Sequence, residues 1–504
     1  MYRYNSISSW ILEKEKTDTD RIALVSGEKE ISFAQVAQNI RKTACRLTAE
    51  GIGRGDCILY LLRSSPEFFY TTLAVGLIGA VAVGAAYRSV AETVHAIIDE
   101  VKPRLVVTDR ENEARLRQIV SEDIKVITGE ELLNIEPAEK MLAHIEESRR
   151  SITLEDDFMV LYTSGTTSKP KGAVLTHKNV LAVTQMIIDH CCKGGLHESD
   201  IFPHCFPVNH VSGAVGCGMA PLAVGAKMIL YPDFNPATIL EACEKFRVTV
   251  MCGVPAMWSA IINFSKTRKF DLSSVRSVMS VAAPLPTAMV KDINDLFGYC
   301  ENPLGMTETS SLCTYCPVDM DEEKCATTLG HIMPEMKVKI VKADGTVAKP
   351  GEIGQLCYKG DSVIKRYISQ PLPEDDEGYF LGGDLAYQDE DGILHICGRN
   401  DDMFTVCGYN VFPDEIEDVL RSFPGVRGAV VVPKTHRSMG SICHACLIAD
   451  EGVKARQVRK FAEEHLIYYK VPRSYSFVDS FPTNALGKVD RKKLMAILRE
   501  KHTI

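Results

Sequence analysis

The sequence predicts an α/β fold: a large N-terminal domain of helix-covered sheets with a β-rich subdomain, then a small α+β C-terminal domain. Apolar runs at residues 57–62 and 248–254 stand between helical segments, and such near-continuous strands are typical of sheets buried on both faces. The length of 504 residues exceeds what one hydrophobic core normally holds, so at least two domains are expected.

The helices can be placed by their end signals. Ser32 can cap a helix with apolar residues at every third or fourth position, which Gly51 closes. Ser65 and Pro66 begin a second helix, whose apolar continuation at residues 71–87 is short for a membrane span and indicates a buried helix and strand. Pro236 begins another helix, which leads into the strand at residues 248–254.

The texture changes towards the C-terminus. Short β segments with turn signals occupy residues 336–360, and a charged junction follows at residues 398–402. We place the domain boundary there, giving an N-terminal domain at residues 1–398 and a C-terminal domain at residues 399–504. In the latter we expect a helix from Pro413, a strand at residues 428–433 and a helix from about residue 456 to 469.

Charge and composition limit the partners. The net charge of −9 argues against a nucleic-acid surface. The first residues lack the pattern of a signal peptide, so a cytoplasmic protein without a membrane span is expected.

The 17 cysteines include two CxxC pairs, Cys313–Cys316 and Cys443–Cys446, which could form a zinc or redox site. Because the two pairs are far apart in the chain, we favour the interpretation that these are reduced cysteines of the hydrophobic core.

One loop has the composition of a phosphate cradle. Residues 163–172, TSGTTSKPKG, follow an apolar strand and combine glycines, hydroxyls and lysines. Glycines let the backbone approach a ligand, and hydroxyls and lysines supply donors and positive charge. The candidate phosphate ligands are Thr163, Ser164, Gly165, Thr166, Thr167 and Lys171. A polar surface loop is the alternative for this segment alone.

Four further stretches follow in order: residues 305–308, 383–385, 398–417 and 482–488. With the loop, they resemble the adenylate-forming superfamily of acyl-CoA synthetases, luciferases and peptide-synthetase adenylation domains. The resemblance implies a large N-terminal AMP-binding domain and a small mobile C-terminal lid domain that carries a catalytic lysine.

The resemblance also implies residue roles. A carboxylate attacks the α-phosphate of ATP and expels pyrophosphate, which requires cations and oriented donors. The loop would hold the β- and γ-phosphates, Thr307 the α-phosphate, and Glu308 a Mg²⁺ ion. Asp384 and Arg399 would contact the ribose, and Lys488 would approach the reacting carboxylate.

Other matched positions concern adenine, acid and thiol. Leu304 and Gly305 would lie at adenine, His210 near the substrate carboxylate, and Gly408 at the thiol channel beyond a hinge at Asp401. A core histidine and a plain turn are the alternatives for His210 and Gly408.

The chain departs from the family pattern on the adenine and acyl side. Leu304 replaces an aromatic residue, Val281 and Ala282 replace two glycines, and Gly382 replaces a threonine. We therefore expect a bulkier wall between the adenine and acyl pockets and weak nucleotide affinity.

The leading prediction is an acyl-CoA synthetase that uses ATP, Mg²⁺ and CoA to activate a fatty or aromatic acid. The sequence leaves open a separate carrier protein as thiol acceptor, or a degenerate nucleotide-binding regulatory homologue. Pocket residues are expected at 210–219, 251–258 and 281–284, which are mostly small or apolar and suit an uncharged alkyl or aryl tail.

Overall fold

The computed structural model describes residues 2–163, 171–283, 285, 287–400, 402–406, 409–436, 440–483, 489–501 and 503–504. Its α-helices are α1 Ile7–Thr17, α2 Phe33–Ala49, α3 Pro66–Ile78, α4 Ala91–Val101, α5 Arg110–Ile119, α6 Glu139–Ser151, α7 His177–Gly194, α8 Ala220–Val224, α9 Pro236–Phe246, α10 Pro255–Ser265, α11 Thr287–Phe297, α12 Glu322–Thr327, α13 Pro413–Arg421, α14 Ala455–His465 and α15 Arg491–Glu500. A π-helix at Ser212–Met219 and 3₁₀ turns at Glu131–Leu133 and Thr307–Thr309 complete the helical elements.

The strands are β1 Ile22–Ser26, β2 Lys29–Ser32, β3 Cys57–Leu61, β4 Val81–Gly84, β5 Leu105–Thr108, β6 Lys125–Thr128, β7 Asp157–Thr163, β8 Lys171–Thr176, β9 Ile201–His204, β10 Lys227–Leu230, β11 Val250–Gly253, β12 Ser277–Ser280, β13 Gly305–Met306, β14 Ser311–Leu312, β15 Thr314–Tyr315, β16 His331–Ile332, β17 Lys337–Val341, β18 Gly354–Lys359, β19 Phe380–Gln388, β20 Leu394–Arg399, β21 Phe404–Val406, β22 Tyr409–Val411, β23 Val426–His436, β24 Gly440–Ala449 and β25 Ser474–Phe477.

A six-stranded sheet of order β6-β5-β3-β4-β7-β8 is the main element of the N-terminal part. Its strands are parallel except β8, which runs antiparallel to β7 at the edge. Buried residues of α1, α2 and α3 belong to the cluster on one face, and those of α4 and α5 to the cluster on the other. The predicted α/β arrangement with helices on both faces is confirmed.

Local signals placed several helices correctly. Ser32 forms a capping box with Gln35 at the start of α2, and Gly51 follows its end with a φ of 79°. Ser65 is the N-cap residue of α3, but its side chain makes no capping hydrogen bond. The predicted helix at 456–469 is too long, because α14 ends at His465 and a separate turn follows.

The β-rich part is an antiparallel sheet of order β17-β18-β19-β20. Residue 398 lies inside β20, so this sheet reaches the predicted boundary, which stays a prediction. The C-terminal part contains a three-stranded sheet, β23-β24-β25, with separate apolar clusters on its two faces.

The CxxC pair in β24 does not form a metal site. Cys443 packs in the cluster with α13 and α14, whereas Cys446 packs in the cluster with α15. Residues three apart on a strand point to opposite faces of the sheet, so these two thiols cannot bind the same metal ion. In the described part of the chain, no group of three or more His, Cys, Asp or Glu side chains could hold a metal ion. Nor does any helix there have the length and apolar character to cross a bilayer.

Candidate active site

The predicted phosphate loop connects two strands at the carboxyl edge of the six-stranded sheet. Strand β7 ends at Thr163 and β8 begins at Lys171, and these two residues are paired in the antiparallel ladder. The carboxyl edge of a parallel sheet is where open α/β folds usually bind ligands. Thr163 and Lys171 therefore mark the two ends of the loop at the expected place.

The Gly305–Glu308 stretch forms a tight hairpin turn. Strands β13 and β14 are paired, and the 3₁₀ turn with Thr307 and Glu308 connects them. Thr309 fixes this turn, because its hydroxyl is 2.8 Å from the Ser311 carbonyl oxygen and 3.1 Å from that of Met306. Gly305 is required here, since a Cβ atom would lie 2.5 Å from the Ser311 carbonyl oxygen.

Tyr367 joins the Glu308 turn to the phosphate loop. Its hydroxyl donates to Oε1 of Glu308 at 2.8 Å. The ammonium of Lys171 lies over its ring, 5.3 Å from the centroid. Burial, with the Glu308 charge adding to it, raises the pKa of Tyr367, so the hydroxyl keeps its proton and donates it. Three elements distant in sequence therefore bring a cation, a hydroxyl and a carboxylate together.

Asp384 and Arg399 face each other across the β19–β20 pair. They are register partners, and Nη1 of Arg399 is 3.4 Å from Oδ1 of Asp384. Gly383 leaves room for the guanidinium, because a Cβ atom there would lie 2.4 Å from Nη2 of Arg399. The half-exposed arginine makes the ion pair a weak contribution to stability. The ion pair places the Arg399 donor groups beside the Asp384 carboxylate.

The side chain of Tyr358 lies close to both acidic groups. It is fully buried, and besides desolvation the charges of Asp384 and Glu308 raise its pKa. Both predicted nucleotide contacts, the ribose-side Asp384 and the metal-side Glu308, are therefore near one buried ring.

The structure gives a packing reason for one departure from the family pattern, Gly382, and places the others. Gly382 has no room for a side chain, because a Cβ atom would lie 2.5 Å from the Leu356 carbonyl oxygen and 2.7 Å from the Tyr358 ring. Ala282 adopts a φ of 68°, a left-handed conformation that favours glycine. Val281 is buried, with its N–H bound to the Gly253 carbonyl at 2.9 Å. Leu304 is partly buried against the core.

His210 lies on a turn that buried side chains hold at two points. Tyr60, on β3, donates to the Val208 carbonyl at 2.9 Å. His204, at the end of β9, contacts the Gly213 carbonyl through Nε2 at 2.9 Å, and its Nδ1 is 2.7 Å from the Ser64 hydroxyl. Burial lowers the pKa of His204 to about 4, so its ring is neutral and Nε2 carries the proton.

Six predicted site residues lie outside the described residues: Ser164, Gly165, Thr166, Thr167, Gly408 and Lys488. The hinge candidate Asp401 lies outside them as well. The chain that follows Lys488 is firmly anchored. Arg491 at the start of α15 ion-pairs with Glu417 and, at 2.7 Å, with Asp414 of α13.

Sequence reasoning missed Tyr367 and His204. Tyr367 is one of 17 tyrosines, and no motif around it sets it apart. Its contact with Glu308 spans 59 positions of the chain and only the fold reveals it. His204 is a lone polar residue in an apolar strand, a pattern that indicates a buried polar contact without naming the partner.

The described site residues supply a cation, carboxylates and donors, and the comparisons with known proteins identify an ATP-dependent, AMP-forming acid–thiol ligase. The chain belongs to the AMP-binding enzyme family. The family model matches residues 12–368, and that of the AMP-binding enzyme C-terminal domain matches residues 415–488.

Similar proteins match along nearly their whole length. A feruloyl-CoA synthase of Amycolatopsis sp is 28% identical, covering 97% of this chain and 98% of that protein. A 2-succinylbenzoate–CoA ligase of Bacillus licheniformis is 29% identical, covering 96% and 99%. The structure of O-succinylbenzoate coenzyme A synthetase from Bacillus subtilis, in complex with ATP and magnesium ion, has a TM-score of 0.85 at 26% identity and covers 96% of this chain and 99% of that chain.

Proposed function

We propose that this enzyme joins a carboxylic acid with an uncharged alkyl or aryl tail to CoA. The reaction passes through an acyl-adenylate and releases pyrophosphate and AMP. The contact between Tyr367 and Glu308, under the Lys171 cation, is the observation that supports it most directly. It places a carboxylate suited to Mg²⁺ beside a lysine suited to phosphate.

The residues present fit ATP and Mg²⁺. Mg²⁺ is usually held by one or two carboxylates together with substrate phosphates, so Glu308 alone is an adequate protein ligand. When bound, the ion neutralises charge on the phosphates. Asp384 offers acceptor oxygens suited to the ribose hydroxyls, and Arg399 a donor beside them. Gly305 keeps the hairpin that carries Thr307 and Glu308 tightly paired, because a Cβ atom there would meet the Ser311 backbone.

The first half-reaction brings two negative groups together. Lys171 with the rest of its loop holds the leaving pyrophosphate, Thr307 donates to the α-phosphate, and Lys488 supplies positive charge where the carboxylate attacks. In the second half-reaction the CoA thiol attacks the acyl-adenylate and AMP leaves. Gly408 lines the path of that thiol, and Asp401 is the hinge between the two steps.

The acid is proposed from the pocket and from the relatives. The π-helix Ser212–Met219 is largely buried and contains three glycines, and Val281, also buried, is expected to limit the size of the acyl pocket. Feruloyl-CoA synthase and 2-succinylbenzoate–CoA ligase are named for aromatic acids. An aryl acid of that size is the first class to try.

Pyrophosphate exchange into ATP tests the proposal. Ferulate, 2-succinylbenzoate and a graded series of alkyl acids are supplied with Mg²⁺, and active acids are then followed for CoA thioester and AMP. We expect acid-dependent exchange with at least one aryl acid. Absence of exchange with every acid would favour the degenerate regulatory homologue. Exchange without thioester formation on CoA would favour a carrier protein as acceptor.

Lys488→Ala separates the two half-reactions. It should abolish most acid-dependent exchange, while thioester formation from a supplied acyl-adenylate and CoA continues. Lys493→Ala is a matched control on an exposed lysine of α15. Equal loss of both half-reactions in Lys488→Ala would contradict the role given to that residue.

A further inference from the structure

Two buried thiols pack together beside residues 302–305, which contain the predicted adenine contacts Leu304 and Gly305 and which we call the adenine-side loop. Cys316 follows β15, and Cys325 lies on α12. Both are fully buried, and with Tyr299 they form a small cluster that Met320 covers. The Cys316 thiol donates to the Cys325 carbonyl oxygen at 3.6 Å, which holds its side chain against α12. This pair was not expected from the CxxC spacing, which joins Cys316 to Cys313 instead.

The surroundings make the two thiols unequal. The interaction with Cys316 lowers the pKa of Cys325, although burial and the nearby Asp321 and Glu322 charges act in the opposite direction. The pKa of Cys316 is raised by the same contact and by burial. Burial likewise raises the pKa of the nearby Cys300 to about 12. When two thiols pack against each other, a sulfenic acid formed on one can be resolved by the other to give a disulfide.

Only a thin layer separates the pair from solvent. In the segment between the two cysteines, Val318 is 66% exposed, and residues 321–324, the N-cap and first turn of α12, are exposed as well. A helix of six residues opens locally at low cost, so a small oxidant can reach sulfur without global unfolding.

We propose that Cys316 and Cys325 form a reversible disulfide that responds to peroxide and controls the adenine-side loop. The Cys325 thiolate attacks one oxygen of hydrogen peroxide, the O–O bond breaks, and the leaving hydroxide takes up a proton to become water. The Cys316 sulfur then attacks the resulting sulfenic sulfur. The S–S bond forms, the S–O bond breaks, and the departing hydroxide accepts the Cys316 proton. Two thiols and one peroxide give one disulfide and two waters.

The pair is connected to the predicted nucleotide contacts through the backbone. The Cys325 carbonyl accepts from the Asn302 N–H at 3.2 Å. Thr314, which precedes Cys316 by two positions, accepts from the Leu304 N–H at 2.7 Å through its hydroxyl. A disulfide needs sulfur atoms about 2 Å apart, closer than two unbonded thiols can approach. Its formation must therefore move α12, and with it the segment at Asn302–Leu304.

Peptide mapping of the oxidised full chain tests the disulfide directly. Trypsin cuts after Lys324 and so separates the two cysteines, leaving peptides 292–324 and 325–337. After peroxide treatment without reductant, we expect these peptides to be joined. The link should vanish in Cys316→Ser and in Cys316→Ala but persist in the control Cys300→Ser. A link from Cys325 to Cys300 or Cys313, or no link after peroxide treatment, would overturn the proposal.

The effect on catalysis rests on the proposed function and is measured separately. Oxidation should lower acid-dependent pyrophosphate exchange about tenfold, since a shift of about 1 Å near a reacting group has large kinetic effects. Dithiothreitol should restore the rate, and Cys316→Ser should resist peroxide. If the reduced protein shows no exchange, the proposed function fails while the peptide map still decides the disulfide. If the link forms and exchange is unchanged, control of the loop is refuted.

Discussion

Replacing Tyr367 by phenylalanine removes one atom from the predicted metal side of the site. The ring stays buried beneath the Lys171 ammonium, while Oε1 of Glu308 loses its 2.8 Å hydrogen bond. A hydrogen bond to a charged group contributes about 1.5–3 kcal/mol, equivalent to roughly a ten- to hundredfold change in an equilibrium constant. If the hydroxyl holds the Glu308 carboxylate ready for Mg²⁺, this loss appears as weaker metal binding.

The assay is pyrophosphate exchange over a Mg²⁺ titration at saturating acid. In Tyr367→Phe, the Mg²⁺ concentration for half-maximal exchange should rise about tenfold or more, with most of the maximal rate kept. Tyr358→Phe is the matched control, because the Tyr358 hydroxyl is buried without a hydrogen-bond partner among the described residues. Its removal should leave the Mg²⁺ dependence unchanged.

Thermal unfolding of both variants shows whether the fold is intact. An unchanged Mg²⁺ dependence in Tyr367→Phe would refute the positioning role. So would a loss of activity that is equal at all Mg²⁺ concentrations.

Three further predictions concern stability and nucleotide binding. Ala282→Gly should stabilise the protein by about 1 kcal/mol in urea unfolding, because glycine relieves the left-handed φ of 68°. His177→Leu should make the protein less sensitive to acid. Burial lowers the pKa of His177 to about 4, so the unfolded chain takes up this proton first as the pH falls below about 6.5. Between pH 7 and pH 5, the free energy of unfolding should therefore fall by about 2 kcal/mol less in the variant than in the unsubstituted protein. Asp384→Asn should raise the KM for ATP about tenfold and leave that for the acid unchanged, because the carboxylate beside Arg399 is lost.

Each of these has a control and a contrary outcome. Ala283→Gly, next to the left-handed residue, should give no gain, and a loss in Ala282→Gly would contradict the strain argument. His144→Leu, at an exposed position, should leave the acid sensitivity unchanged, and an equal effect in both histidine variants would refute the burial argument. An unchanged KM for ATP in Asp384→Asn would remove that carboxylate from the nucleotide site.

The parts of the fold that follow from local chemistry were predictable. Helix α2 begins at its capping box and ends before Gly51, because capping and a left-handed glycine involve near neighbours in the chain. The predicted end of the helix near residue 469 was wrong by four positions, since apolar residues continue past His465 while the backbone turns. Helix ends without a glycine or proline signal are poorly defined by sequence.

The candidate site residues came from the resemblance of five ordered motifs and not from residue type alone, because a loop rich in glycine and lysine is usually a polar surface loop. Thr163, Lys171, Glu308 and Asp384 stay predictions, and the structure adds that Lys171 and Glu308 both contact Tyr367. Tyr367 was missed because its contact with Glu308 depends on how two distant loops pack. Packing of that kind has no periodicity that a single sequence displays.

The turn that carries His210 is hydrogen-bonded to two different sheets. Tyr60 of the six-stranded sheet bonds the Val208 carbonyl, and His204 of the sheet that contains β9 bonds the Gly213 carbonyl. The relative placement of these sheets is thus transmitted to the turn that we propose faces the acid. On that proposal, substitutions between the sheets, away from the pocket itself, should also alter which acid is accepted. In directed evolution, libraries limited to the pocket lining would miss this route to new selectivity, and Tyr60 and His204 are the positions to keep constant while it is explored.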